Sequence, residues 1–111
     1  MSEHRLCRFD ELADPGGRSF VLPNDAGGHH IIVARDGDRA FGYVNACAHI
    51  GTPLDMISDD FVDPDEKLLV CALHGARFRI EDGVCVAGPC VGDGLKPFSI
   101  IVRDGQVYAR T

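Results

Sequence analysis

The sequence predicts an all-β domain, built as an antiparallel sandwich or a partly open barrel. Three observations predict it: short runs of branched and aromatic residues, turn dipeptides of the Asp-Gly type between them, and nothing helical longer than a turn or two. Taken in order, residues 8–14 read as a single short helix or turn with Asp10 as a possible cap, and Cys7 as a core residue on the strand before it. Residues 19–22 and 30–34 are rich in branched side chains. Asp36-Gly37-Asp38 then turns the chain into a strand at about 39–45, where Ala40, Gly42 and Val44 alternate with Phe41 and Tyr43, as a sheet packed on one face allows.

Leu68, Leu69 and Val70 form a further strand leading into Cys71. Residues 77–80 and 84–87 flank Asp82-Gly83, and residues 98–103 and 106–110 flank Asp104-Gly105; both are strong hairpin signals. Two stretches escape the pattern. Residues 46–67 and 87–97 are long for plain connectors in so small a domain, and long loops often carry function.

The 111 residues fit one domain, 1–111, which can bury a real core. A hydrophobic fraction of 45% with 25% charged residues predicts a soluble globular fold. No apolar run has the length of a membrane span, and the first 20 residues lack the apolar core of a secretory signal, so a cytoplasmic location is expected. The formal net charge of −6 argues against nucleic-acid and anionic-membrane partners, which require a basic surface. It suits docking onto a basic patch of a partner protein. Five cysteines cannot all pair, so a fully disulfide-bonded scaffold is excluded and a metal site in a reducing compartment is favoured.

The chemistry concentrates in Cys47-Ala48-His49 and Cys71-Ala72-Leu73-His74. Each places a thiolate and an imidazole close together, and each lies beside glycine (Gly51, Gly75), which lets backbone approach an inorganic group. Two Cys and two His could hold a tetrahedral zinc. Zinc fingers usually pair like ligands in one knuckle, whereas here each loop supplies one of each kind, so two thiolates could hold one iron and two imidazoles another.

The order C-x-H followed by C-x-x-H resembles the Rieske family. The second loop continues Gly75-Ala76-Arg77-Phe78, close to the family's Gly-x-x-Phe, and Gly88-Pro89 matches its cluster-covering proline loop. The resemblance spans roughly residues 5–110. It implies a Rieske fold with a cluster-binding loop portion at about 46–92, and one [2Fe–2S] cluster per chain. Cys47 and Cys71 would ligate the inner iron, His49 and His74 the outer one. The interval between His49 and Cys71 is longer than small Rieske ferredoxins usually have, the excess falling in the acidic stretch, where an insertion is easily accommodated.

Rieske proteins of respiratory bc-type complexes carry an extra cysteine in each loop, paired as a disulfide, where this chain has Thr52 and Leu73. Their cluster-facing serine and tyrosine hydroxyls correspond here to Ala76 and Phe78. Loss of those hydrogen bonds should lower the potential, and a midpoint above about +150 mV would contradict that. The resemblance further implies a non-catalytic electron carrier, receiving electrons from a flavin-dependent reductase and passing them to an oxygenase component. A subunit similar to the Rieske-like small subunit of assimilatory nitrite reductase, and a structural zinc module, are the alternatives.

The remaining residues read more plainly. Cys85 and Cys90 are expected as buried thiols, with a mutual disulfide or a redox role as alternatives. His29 and His30 point to opposite faces of an extended chain and are not read as ligands. Phe41, Tyr43, Phe78 and Phe98 read as packing residues. Asp55, Asp59, Asp60, Asp63, Asp65 and Glu66 form either a solvated loop or a surface that steers a basic partner.

Overall fold

The computed structural model describes residues 3–23, 28–46, 61–71, 75–88 and 91–110. Among them the strands are β1 (Glu3–Arg8), β2 (Gly16–Val21), β3 (His30–Asp36), β4 (Arg39–Val44), β5 (Val62–Asp63), β6 (Leu68–Cys71), β7 (Ala76–Arg79), β8 (Cys85–Ala87), β9 (Ile100–Arg103) and β10 (Gln106–Arg110). They form three sheets of order β1-β10-β9, β2-β3-β4 and β5-β6-β7-β8. Every named pairing is antiparallel.

The all-β expectation holds, and the predicted turns lie where local chemistry puts them. Asp36 pairs with Arg39 around Gly37-Asp38, and Gln106 pairs with Arg103 around Asp104-Gly105. At the third turn the Asp82 carboxylate accepts the Val84 N–H at 3.0 Å, and Arg79 N–H donates to Val84 O at 3.0 Å.

The β2-β3-β4 sheet corrects one expectation. Its central strand, β3, is covered on both faces. Ile31, Ile32, Val33 and Ala34 are all fully buried, a continuous apolar run of the kind a strand needs between two layers. Ile32, Ala34 and Tyr43 pack toward Leu69, Phe78 and Ile80 of the four-stranded side. Val33 packs with Cys7, Leu12 and Val107, and Ile31 with Leu22 and Ala109. Two glycines admit the neighbouring layers. A Cβ on Gly17 would lie 2.8 Å from the Phe61 ring, and one on Gly42 would lie 2.6 Å from Phe98 O.

Three further departures have local causes. The early helical element is one 3-10 turn, Phe9–Glu11, and Asp10 is not its cap: Glu11 accepts the Arg8 N–H at 2.8 Å, while Asp10 pairs with the Arg8 guanidinium. The stretch 46–67 contains β5, which Val62 and Asp63 form against Leu69 and Leu68. Within the stretch 87–97, residues 93–95 run beside residues 83–85, with Cys85 N–H donating to Asp93 O and Leu95 N–H to Gly83 O, both at 2.8 Å, so the outer edge is covered where β8 begins.

Candidate metal centre

The β6–β7 hairpin presents the second predicted ligand loop. Leu69 and Cys71 alternate inward from β6, and Cys71 ends that strand opposite Ala76. Its side chain is buried opposite Ala76, in the same core cluster as Phe78 and Cys85. The Gly75 N–H donates to Cys71 O at 2.8 Å, closing the hairpin mouth across residues 72–74. That closure needs a left-handed residue, which Gly75 supplies at φ +69°.

β8 leads directly onto this foot. Gly88 has φ +94°, and a Cβ there would lie 2.8 Å from Ala76 Cα and 3.3 Å from Gly75 O. The chain therefore departs toward position 89 from direct contact with the hairpin. Cys47, His49 and His74, together with Pro89 and Cys90, lie outside the described residues, as do Asp55, Asp59 and Asp60 of the acidic run. Of the four predicted ligands the structure thus places Cys71.

Ala76 and Phe78 bring no hydroxyl here, and the Phe78 ring is buried in the core as a packing residue. Cys85 is a free buried thiol whose Sγ donates to Ala87 O at 3.2 Å, so a disulfide to Cys90 is not made. Cys7 is likewise a free core thiol, with its pKa pushed up mainly by burial, and is therefore a poor nucleophile. His29 packs its ring 5.1 Å from that of Phe98, and His30 begins β3 with an exposed side chain.

Sequence reasoning missed the partners of the acidic run. Asp63 Oδ2 accepts from Arg77 Nη1 at 3.0 Å, and Glu66 Oε1 lies 3.1 Å from the same nitrogen. Asp63 Oδ1 also accepts the N–H groups of Asp65 and Glu66, which shapes the turn after β5. The Arg77 guanidinium, followed by those two backbone donors, holds the Asp63 carboxyl below its ordinary range. The available signal was an arginine on the outward parity of β7, but its partner depends on β5, which local sequence does not announce.

A groove of about 270 Å³ lies elsewhere, at the Glu81-Asp82 turn, with Phe41, Tyr43, Phe98 and Ile100 in its walls. That is the opposite end of β7 from the ligand loop. The Tyr43 hydroxyl beside it donates to Ile80 O at 2.5 Å, and its pKa is pushed up to about 12, first by burial and then by Asp82 and Glu81.

Comparison with known proteins decides the family. The Rieske [2Fe-2S] domain matches residues 2–109. The chain belongs to the Rieske family. Among curated proteins the Rieske chain is similar to ferredoxin CarAc of Metapseudomonas resinovorans, 28% identical over 104 residues, which are 94% of this chain and 89% of that one. Among solved structures it is similar to the ferredoxin of carbazole 1,9a-dioxygenase from Nocardioides aromaticivorans IC177, with TM-score 0.78, 25% identity and coverage of 98% of this chain and 97% of that chain. The terminal oxygenase of carbazole 1,9a-dioxygenase from the same organism shares the fold at TM-score 0.72 and 20% identity, over 96% of this chain but 29% of the oxygenase.

A Rieske domain carries a [2Fe–2S] site. The described residues fit one: a buried thiol at a hairpin mouth, an apolar wall behind it, and a glycine-permitted backbone laid against the hairpin's foot.

Proposed function

We propose that the chain is a ferredoxin, a one-electron carrier whose cluster is held by Cys47, His49, Cys71 and His74 within one domain, 1–111, the cluster-binding portion covering about 46–92. The buried Cys71 thiol at the β6–β7 mouth carries this reading, because it is a sulfur donor set against an apolar wall beside the second loop of the Cys/His pattern. When bound, the cluster supplies reversible one-electron storage. The protein's part is to exclude water from the sulfur side, through Ala76 and Phe78, and to hold the two ligand loops together.

Coverage separates carrier from catalyst. Ferredoxins are matched along almost their whole length, whereas the oxygenase is matched over less than a third of its own. An oxygenase component is therefore the proposed acceptor. A flavin-dependent reductase is the proposed donor, since a flavin can split a hydride's two electrons into single deliveries. Free thiols at Cys7 and Cys85 support operation in the reducing cytoplasm.

The test is anaerobic purification followed by metal and sulfide analysis and electron paramagnetic resonance. Two irons and two sulfides per chain are expected, with the low average g of histidine-ligated clusters, and loss of that signal in Cys71→Ser and in the His49→Ala/His74→Ala double variant. A lone zinc in iron-replete protein, or irons retained unchanged in the double variant, would defeat the reading.

A further inference from the structure

We propose that Arg77, held between Asp63 and Glu66, is a positioning residue that sets how readily the chain's cluster accepts its electron; this rests on the carrier reading above. Arg77 follows Ala76, the register partner of Cys71, and itself pairs with Val70. Antiparallel spacing then puts the Arg77 backbone within about 6–7 Å of that of Cys71. Alternation sends Cys71, Leu69 and Phe78 to the buried face and Arg77 to the opposite one. The guanidinium thus lies on the back of the strands whose front carries the buried thiol.

From there it crosses β6 to reach Asp63 on β5 at 3.0 Å and Glu66 at 3.1 Å. Arg77 and Asp63 have only 32% and 24% of their side chains exposed, against 57% for Glu66. One cation set against two carboxylates leaves a local charge of −1, close to a site that becomes more negative on reduction. Taking away Arg77 would make that charge −2, and neutralising Asp63 would make it zero. Solvent screens a half-buried group incompletely, so the change reaches the site.

The opposite signs separate charge from mechanics. A clasp that only fastened β5 to β7 would be loosened alike by losing either partner. The experiment is a dye-mediated redox titration of the holoprotein, reading the ratio of reduced to oxidised chain at one fixed poise. Arg77→Met should lower the ratio about fivefold and Asp63→Asn should raise it about fivefold, for a unit charge on the order of 10 Å away. Either shift is about 40 mV, at 59 mV per tenfold for one electron. Glu66→Gln should give a smaller rise, and Arg77→Lys should stay near the parent.

Shifts in the same direction for Arg77→Met and Asp63→Asn, or no shift in either, overturn the proposal. If Arg77→Met does not retain iron, Asp63→Asn decides alone, because asparagine keeps the acceptor oxygen that shapes the turn: a rise supports the proposal and its absence overturns it. A parent protein without a [2Fe–2S] cluster defeats the carrier reading and this inference together. A parent with the cluster and unsplit variants defeats this inference only.

Discussion

Tyr43 shows how one side chain couples two layers. Its ring lies in the core on β4 while its hydroxyl donates to Ile80 O beyond the end of β7, so the central sheet is tied to the sheet that carries Cys71. Tyr43→Phe leaves the buried carbonyl without that donor and should cost about 1–2 kcal/mol, read from urea unfolding of the holoprotein. The same residue sets an alkaline limit. The unfolded phenol ionises near 10 and the folded one at about 12, so this stabilisation is complete below pH 10 and is lost as pH rises toward 12. Unfolding midpoints measured from pH 8 to 12 should fall on that limb in the parent and fall less in Tyr43→Phe. Parallel declines would show that the phenol is not responsible.

Among the elements, the β6–β7 hairpin and the segment after β8 depend on each other through Gly88. Gly88→Ala combines a left-handed φ with a contact of 2.8 Å to Ala76 Cα, and neither backbone can yield by rotating a side chain. A stability loss of about 1–3 kcal/mol is expected, with faster release of iron to a chelator. Gly75→Ala meets no atom within 4 Å among the described residues, so it should cost only the backbone strain. Equal iron-release rates in the two variants would mean that the close approach does not matter. The hairpins were legible in the sequence because Asp-Gly pairs decide their turns locally, and the buried strand end at Cys71 because Leu69 and Cys71 alternate inward with Val70 between them. β5 was not legible, since two residues in an acidic stretch become a strand only when Leu68 and Leu69 are beside them. The Arg77–Asp63 contact was hidden for the same reason: it spans β6 and follows from sheet order, not from spacing along the chain. Nor could alternation in β4 reveal that β3 beside it is covered on both faces.

For the molecule as a whole, the net charge of −6 governs encounter rather than folding. Asp63 and Glu66 are already engaged by Arg77, so among the described acids of the run the exposed Asp65 is the one left to attract a basic partner, if the run steers at all. The second-order rate of reduction by a basic reductase should fall as ionic strength rises from about 0.01 M to about 0.15 M, where the screening length shrinks from about 30 Å to about 8 Å. Stopped-flow measurement across that range checks it, and a flat dependence would remove electrostatic steering. The doubly covered central strand has another consequence, for how the chain finds its alignment. With oily residues on both sides of β3, that strand's own pattern resists a slide of one position only weakly. Shape must reject the error instead. Gly17 and Gly42 act as notches on opposite sides, and a slipped strand would drive the Arg18 or Phe41 side chain into space that admits only hydrogen. A strand misaligned that way could not close its layers, so these two glycines proofread assembly.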